Sequence, residues 1–382
     1  MSNNPFKTFI ELHLIQNFVP ANLNRDDTGS PKDCEFGGYR RARISSQALK
    51  RAIRTSRRFT VMTGVDNGTH SKWLNRQIIN ALIKSGKIQK DDTENAQKIT
   101  IEFVKRYDKK INTKSGQTSV LIFFSKDEKD AIVNTFVDNW ANIMADNQDG
   151  KAALEKLAKT IAKNTTNAPD IALFGRMLAG KVEFNTDAAC QVSHAISTHR
   201  VTMEMDYYTA VEELPQDDET GAAMVGFTAF NSACFYRYCR IDWEQLKKNL
   251  DNDSEIAQRT TRAFLRSAID AIPTGKQNAF AAQNPTSFAL AVVRRDGMCW
   301  NLANAFETPV QAKQGNGYTS ESIVKLDALW GALAGFYDDS DIAALSAYST
   351  EITPSQLKHL GTAIQTSVSE WLKPIKNALM EG

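Results

Sequence analysis

A long block of helical periodicity interrupts a chain whose flanking segments have the pattern of β-strands. Over residues 66–164, apolar residues recur at helical spacing between Gly, Asn and Asp. Strand-like segments precede this block at residues 9–16 and follow it at residues 188–200 and 230–241. In the first of them, Ile, Leu and Leu alternate with Phe, Glu and His, which predicts a half-buried strand. The helical block is therefore predicted to be an insertion into a sheet-forming chain.

Without the insertion, the predicted elements follow the order strand, helix, strand, strand, helix, strand. Ser45 or Ser46 can cap the first helix, which is predicted to run to about Arg58. The second helix is predicted over residues 254–272 and the last strand over residues 288–293. This order is that of the ferredoxin-like plan used by RNA recognition motifs. The predicted fold class is therefore α+β, with an RNA recognition motif-like (ferredoxin-like) sheet.

Two further segments lie outside this plan. Residues 204–226 are acidic and contain Gly, which predicts an excursion from the sheet between two strands. Residues 320–378 are predicted to be largely helical, with Trp330 and Trp371 as packing anchors.

The overall charge and the cysteine content exclude several classes of protein. The 382 residues include 46 Lys and Arg against 44 Asp and Glu, so the net charge of +2 is that of neither a histone-like nor a strongly acidic protein. Five cysteines without a CxxC pair argue against a disulfide framework and a structural zinc site. The N-terminus lacks the features of a signal peptide, and no apolar run is long enough for a membrane span. A soluble, cytoplasmic protein is expected.

Residues 32–58 concentrate positive charge. This segment has nine basic and two acidic residues, so its local charge of nine minus two, +7, exceeds that of the whole chain. The basic residues are Lys32, Arg40, Arg41, Arg43, Lys50, Arg51, Arg54, Arg57 and Arg58. The neighbouring pair Gly37 and Gly38 could let the backbone approach a phosphate, although a plain turn is the commoner role.

The predicted helix within this segment is amphipathic. At 100° per residue, its polar face carries Gln47, Lys50, Arg51, Arg54 and Arg58. The opposite face carries small and apolar residues, namely Ala48, Leu49, Ala52 and Ile53. Four cations on one face repel each other unless an anion binds them, and a nucleic-acid backbone would do so. The alternative is a solvated basic face that pairs with carboxylates from elsewhere in the chain.

No catalytic site is predicted. His194 and His199 lie five positions apart in a predicted strand, so they would point to opposite faces and could not easily share a metal ion. Asp26 and Asp27 could bind a divalent ion, but turn formation is the commoner role of such a pair. The chain has neither the phosphate-binding P-loop nor the GxGxxG fingerprint, and we expect no cofactor and no metal.

Aromatic residues offer a second signal for nucleic acid. Tyr207 and Tyr208 lie in the predicted excursion, where they could stack on bases or pack within the excursion itself. Phe235, Tyr236 and Tyr238 alternate along a predicted strand and are expected in the core or on the sheet.

The basic segment and its surroundings resemble the signature of a known family. The sequences LNRDD at residues 23–27, KDxxFGG at 32–38 and RRARISSQALKRAIR at 40–54 are similar to those of CasC, the repeated backbone subunit of the type I-E CRISPR complex Cascade. Further motifs follow in the same order: GRM at 175–177, SHAISTH at 193–199, DYYTAV at 206–211, FYRY at 235–238, KQxxxAAxNP at 276–285 and NAFE at 304–307.

The resemblance implies a hand-like organisation. It implies an RNA recognition motif-like palm, a large helical fingers insertion and a hairpin thumb. The palm would comprise residues 1–62, 182–200 and, with C-terminal helices, 229–382. The fingers would be residues 63–181 and the thumb residues 201–228.

The resemblance also implies a non-catalytic function in antiviral defence. Several copies would polymerise along one CRISPR guide RNA beside other Cascade subunits, and the thumb would flip nucleotides out at intervals. The intervening bases would remain exposed to pair with target DNA.

Carried over by motif, the RNA-binding residues implied by the resemblance are Asn24, Arg25, Lys32, Ser45, Gln47, Lys50, Arg51, Arg54, Arg176, Met177, Tyr208, Lys276 and Gln277. After NAFE a relative would carry a Lys-rich stretch that contacts DNA, whereas this chain has ETPVQAK and keeps only Lys313. Two alternatives remain open. One is a CRISPR-associated ribonuclease that uses an acidic residue such as Asp33, and the other is an RNA-binding module outside CRISPR.

Overall fold

The computed structural model describes residues 7–90, 93–161, 166–177, 185–211, 222–312 and 317–380, which form a mixed α+β fold. The strands are β1 Thr8–Ala21, β2 Asp33–Phe36, β3 Tyr39–Ile44, β4 Thr69–Ser71, β5 Ile122–Phe124, β6 Cys190–Val192, β7 Ala195–Ser197, β8 Glu204–Val211, β9 Ala222–Asp242, β10 Phe288–Arg295 and β11 Ile342–Ser349.

The helices surround and interrupt these strands. They are α1 Ser46–Arg54, α2 Arg57–Thr63, α3 Leu74–Lys84, α4 Glu94–Val104, α5 Lys126–Asp138, α6 Trp140–Met144, α7 Gln148–Ile161, α8 Pro169–Phe174, α9 Trp243–Asn249, α10 Ser254–Asp270, α11 Gln277–Phe280, α12 Thr319–Tyr337 and α13 Val368–Met380. Short 3₁₀ helices lie at Leu302–Phe306, Pro354–Gln356 and Gly361–Ala363. Within the described ranges, no helix combines the length and apolar character needed to cross a membrane.

A nine-stranded sheet organises the first part of the fold. Its strands follow the order β11-β10-β1-β9-β7-β3-β2, and β6 and β8 also pair with β9. The central strand β1 pairs antiparallel with β10 on one side and with β9 on the other. Strand β9 is 21 residues long: its second half pairs with β1 and its first half pairs with β8. A single strand therefore belongs both to the sheet and to the β8–β9 hairpin.

Strand β1 is buried on both faces, so the prediction of a half-buried strand is wrong. Glu11 and His13, on the predicted polar side, are both 0% exposed. Glu11 forms an ion pair with Arg294 at 3.0 Å and accepts hydrogen bonds from Trp300 N–H and Tyr238 Oη. His13 Nδ1 lies 2.9 Å from Tyr236 Oη, and burial lowers the pKa of His13 to about 3. Internal partners thus replace water at these polar side chains.

The described residues form two compact units. The first contains the nine-stranded sheet and consists of Met1–Phe59, Gln191–Asp242 and Thr261–Gly382. Two buried clusters lie on opposite faces of its sheet, because Tyr236 belongs to one and the adjacent Phe235 to the other. Helix α12 packs Leu326 and Trp330 into the Tyr236 cluster, and α1 packs Leu49 into the Phe235 cluster.

The second unit is largely helical and consists of Thr60–Cys190 and Trp243–Thr260. Its core joins α3, α4, α5 and α7 through residues such as Ile78, Phe103 and Phe136. Strands β4 and β5 pair antiparallel within this unit. Ser125 begins α5 with a capping box, in which its side chain and that of Glu128 bind each other's backbone N–H groups. These contacts explain the helical periodicity of the inserted block.

Three sequence predictions need correction. The first helix ends at Arg54 and a separate helix, α2, begins at Arg57. Residues 320–378 are not all helical, because strand β11 pairs with β10 and forms an edge of the sheet. The polar stretch before α1 contains the β2–β3 hairpin, which the sequence analysis did not predict. In contrast, the predicted anchors Trp330 and Trp371 are buried, as expected.

Candidate nucleic-acid interface

Helix α1 is divided between the core and the surface, as its sequence predicts. Leu49 and Ile53 are buried at 2% and 1% exposure. Gln47 and Arg51 are exposed, and Lys50 and Arg54 are half-buried. No carboxylate lies in the first turn, and Arg51 and Arg54 lie in the last turn. Packing on one side therefore fixes a row of cations and one amide on the other.

The start of α1 is held by three side chains from different parts of the first unit. Ser45 is the N-cap, and its Oγ accepts a hydrogen bond from Ala48 N–H at 3.3 Å. Asn24 Oδ1 accepts from Ser45 N–H at 2.8 Å. His194 Nδ1 accepts from Ser46 N–H at 2.9 Å. Of the predicted RNA contacts, Ser45 and Asn24 thus also have structural roles.

The loop between β1 and β2 brings Asn24, Arg25 and Lys32 beside the start of α1. The carbonyl of Asn24 accepts from Lys32 N–H at 2.8 Å, and the carbonyl of Lys32 accepts from Arg43 N–H at 2.9 Å. Arg25 forms an isolated β-bridge with Pro31, and its side chain is exposed. The backbone thus places two predicted cations, Arg25 and Lys32, in the same region as α1.

Asp26 organises a turn in this loop. Its carboxylate accepts hydrogen bonds from Thr28 N–H, Thr28 Oγ1 and Ser30 N–H. The Thr28 hydroxyl bond lowers the pKa of Asp26 most, and the backbone N–H groups of Ser30 and Thr28 also lower it. This is the turn role expected for an Asp pair.

Arg41 is a buried structural residue, which corrects its place in the basic cluster. Its side chain is 0% exposed and hydrogen-bonds only to backbone carbonyls among its described contacts. These carbonyls belong to Phe36, Ser197, Phe306 and Glu307, at 2.8–3.3 Å. Burial lowers its pKa from the usual value. Arg41 therefore joins β3 to β2, β7 and the 3₁₀ helix instead of facing a ligand.

Two other charged residues of the basic segment have internal partners. Asp33, the acidic residue of the ribonuclease alternative, forms an ion pair with Arg40 across the β2–β3 hairpin. Arg58 lies in α2 rather than on the face of α1, and pairs with Asp270 at 2.6 Å. The prediction that Arg58 extends the basic face of α1 is therefore wrong, because the first helix ends four residues earlier.

The two glycines of the β2–β3 turn have different surroundings. Both have positive φ, 61° at Gly37 and 76° at Gly38, as tight hairpin turns favour. A Cβ atom at Gly37 would overlap the carbonyl oxygen of Glu307, whereas at Gly38 no other atom lies within 4 Å. Gly37 thus allows the turn to pack against the protein's own backbone.

The segment with Lys276 and Gln277 packs against the β1–β2 loop. A Cβ atom at Gly275 would overlap the carbonyl oxygen of Leu23, so the two backbones are in close contact. Lys276 has a φ of 49°, and Gln277 Nε2 donates to the carbonyl of Pro273 at 3.1 Å. The structure therefore brings this segment beside Asn24, although the Gln277 amide also stabilises its own loop.

Arg176 and Met177 lie in the second unit. Arg176 is buried, where it forms an ion pair with Glu128 at 2.6 Å and donates to the carbonyl of Phe123 at 3.1 Å. Burial raises the pKa of Glu128, and Arg176 opposes that shift. Met177 is 86% exposed. Arg176 thus has an internal role in this structure, whereas the Met177 side chain is accessible.

Tyr208 lies on the β8–β9 hairpin opposite Gly226. It is 43% exposed, and a Cβ atom at Gly226 would overlap its ring, so the ring lies across the glycine. Tyr207 points to the other face, where its ring contacts Phe227 at a centroid distance of 5.3 Å. Both faces of the hairpin therefore carry exposed aromatic surface.

Ten of the predicted RNA-binding residues lie in the segments joined around α1: Asn24, Arg25, Lys32, Ser45, Gln47, Lys50, Arg51, Arg54, Lys276 and Gln277. Tyr208 lies on the hairpin of the same unit. Lys313, the predicted DNA contact, lies outside the described residues.

Sequence reasoning missed two residues beside α1. His194 was considered only as a metal ligand in a continuous strand with His199. The structure divides that segment into β6 and β7, and His194 lies between them. Arg43 was counted in the basic segment but not assigned to the site, although its main chain binds Lys32. The SHAISTH motif was the one signal for His194, because hydrogen bonds to a distant helix have no local sequence pattern.

Comparisons with known proteins identify relatives of the whole chain. The model of the family described as CT1975-like protein matches residues 10–373. A solved chain titled "CRISPR RNA-guided surveillance complex, pre-nicking" is 25% identical, with a TM-score of 0.79 over 97% of this chain and 100% of that chain. Another, titled "CRISPR RNA-guided surveillance complex", is 22% identical, with a TM-score of 0.61 over 97% and 99%, and shows the fold alone. No curated protein matches the sequence.

The two glycines of the β2–β3 turn provide a matched test of the local packing. Alanine at a left-handed position costs about 1–2 kcal/mol, so both G37A and G38A should lower the free energy of unfolding. We expect G37A to lower it more, because its Cβ would also displace the Glu307 backbone. Urea unfolding of both variants measures this difference. Equal losses would contradict the close contact between Gly37 and Glu307.

Proposed function

The chain belongs to the CT1975-like protein family, and on that basis we propose that it is an RNA-binding backbone subunit of a CRISPR surveillance complex. The observation that carries the proposal is the arrangement around α1. Buried Leu49 and Ile53 fix the helix, so that Arg51 and its neighbours face outward beside Arg25 and Lys32. The titles of the two solved relatives, which are RNA-guided complexes, agree with this function.

The guide RNA would bind mainly through its phosphates. A row of cations on a fixed helix suits a regularly spaced anionic backbone, and phosphate contacts are independent of base sequence. A subunit that serves guides of any sequence needs this kind of contact. The base edges would then remain free to pair with a target DNA strand.

We propose that the sheet corresponds to the RNA recognition motif-like palm. Strands β10, β1, β9 and β7 are adjacent in this order, and each neighbouring pair is antiparallel. The last, first, third and second strands of a ferredoxin-like fold have the same arrangement, which supports the proposal. The second unit would be the fingers and the β8–β9 hairpin the thumb.

The remaining parts of the proposal follow from the resemblance to CasC. The complex would be a type I-E Cascade in the cytoplasm, with several copies of this chain polymerised along one guide beside other Cascade subunits. Lys313 stays the proposed DNA contact, and Arg176 and Met177 stay proposed contacts to the flipped nucleotide. For Arg176 that role would require an exchange of its partner Glu128 for a phosphate.

We propose that the subunit is not an enzyme. Asp33, the residue of the ribonuclease alternative, pairs with Arg40, which favours its ionised form but occupies its carboxylate. Purified protein should leave guide RNA uncut in Mg²⁺ or Mn²⁺, as followed on denaturing gels. Cleavage by the wild type that is lost in D33A, a variant with intact α1, would support the ribonuclease function instead.

Two arginines of the basic segment allow a matched test of RNA binding. Arg51 is exposed on α1, whereas Arg58 is paired with Asp270. R51A should weaken binding of a single-stranded guide RNA and flatten the slope of log affinity against log salt by about 0.7 for each lost phosphate contact. R58A should leave the slope unchanged. Fluorescence anisotropy over a salt series measures both, and identical slopes for R51A and wild type would remove Arg51 from the interface.

The β8–β9 hairpin permits a test of stacking on RNA. A base–aromatic contact contributes about 1–3 kcal/mol, so Y208A should reduce assembly on the guide, whereas Y208F, which keeps the ring, should assemble normally. Y207A is the control for the opposite face of the hairpin. Native gels measure assembly, and chemical probing measures flipped nucleotides. Normal assembly and unchanged periodic reactivity in Y208A would leave Tyr208 with its packing role across Gly226.

A further inference from the structure

His194 connects the segment between β6 and β7 to the first amide of α1. Its Nδ1 atom accepts the hydrogen bond from Ser46 N–H at 2.9 Å, and the side chain is otherwise exposed. The first N–H groups of a helix have no partner within the helix, so each needs one from elsewhere. Ser45 Oγ serves Ala48 N–H in the same turn. His194 and Ser45 therefore share the capping of one helix end.

This hydrogen bond determines the protonation state of His194. An imidazole nitrogen that accepts a hydrogen bond carries no proton, so the ring is neutral and its hydrogen is on Nε2. The charged groups that act on the ring are Lys32 from the β1–β2 loop and Arg43 from β3. The carboxylate of the same hairpin, Asp33, is paired with Arg40. Burial, then Arg43 and Lys32, lower the pKa of His194.

We propose that His194 is a positioning residue for guide RNA, which holds the cationic face of α1 in place through the neutral imidazole and makes RNA binding sensitive to acid. The inference rests on the proposed RNA-binding function. It assigns a role within that function to a residue of the SHAISTH motif, for which neither the basic segment nor the thumb accounts.

The direction of the pH effect follows from the hydrogen bond. Protonation puts a hydrogen on Nδ1, which then faces the Ser46 N–H and cannot accept from it. Because the folded-state pKa lies below the usual value, the cap is complete above about pH 6.5 and is lost as the pH falls below that value. Loss of the cap loosens the first turn of α1, which carries Gln47 and leads into Lys50 and Arg51.

A direct phosphate contact by His194 would have the opposite effect. Phosphate attracts an imidazolium ion, so a histidine that binds RNA through its charge strengthens binding as the pH falls. The two roles are therefore distinguished by the sign of the pH dependence. The geometry at Nδ1 favours the positioning role, because the ring already binds the helix through the nitrogen that must stay unprotonated.

Three proteins test the proposal: wild type, H194N and H194A. Asparagine retains an acceptor, Oδ1, on the same γ-carbon and does not titrate, whereas alanine removes the acceptor. Binding of a fluorescein-labelled single-stranded guide RNA is measured by anisotropy between about pH 8 and about pH 5. Wild-type affinity should fall by about fivefold at the acid end, the size of one lost helix cap. H194N should bind like wild type at about pH 8 with a flatter profile, and H194A should be about fivefold weaker already at about pH 8.

A second readout separates this inference from the function on which it rests. Hydrogen exchange of peptides that cover residues 46–54, corrected for the intrinsic pH dependence, reports the capping of α1 without RNA. Protection should fall with acid in the wild type but not in H194N. If wild type binds no guide RNA at about pH 8, the proposed function itself fails. If it binds but shares its pH profile with H194N, or binds more tightly in acid, the positioning role of His194 is overturned.

Discussion

The candidate interface depends on one buried guanidinium. Arg41 donates to backbone carbonyls on β2, on β7 and at the end of the 3₁₀ helix, so segments distant in sequence are joined at one point. Such a cation is costly to bury unless its donors are satisfied, and these carbonyls satisfy them without a carboxylate. Strand β3 is thereby fixed, and α1 begins two residues after its end. The exposed cations of α1 are displayed from this anchored strand.

A similar principle applies at the centre of the sheet. Glu11 and Arg294 on adjacent strands form a buried ion pair, and Arg294 also binds Asp341 through both carboxylate oxygens at 2.7 and 2.8 Å. Replacing such a pair by apolar residues is often neutral or stabilising, whereas removing one partner costs about 3–5 kcal/mol. The network thus restricts the register of β1 against β10 more than it adds stability. It explains how a strand with alternating polar residues can be buried on both faces.

The long strand β9 links the sheet to the hairpin. Because residues 222–230 continue the same strand that pairs with β1, the hairpin starts from a rigid base. Tyr208 lies across Gly226, which both orients its ring and leaves part of it exposed. A ring held in this way loses little conformational freedom when it stacks on a base, so its packing role and its proposed stacking role are compatible.

The sequence by itself determined the helical insertion, the amphipathic face of α1, the anchors Trp330 and Trp371 and the family resemblance, because periodicity and motifs are local properties of a chain. Only the tertiary structure decided which charges are displayed. Arg41 and Arg51 have the same chemistry within eleven residues, yet Arg41 is buried among carbonyls and Arg51 is exposed. Likewise, Arg176 pairs with Glu128 and His194 caps α1, contacts that span 48 and 148 positions. Burial and partners over such separations depend on how strands pair, and one sequence read locally has no pattern that records them.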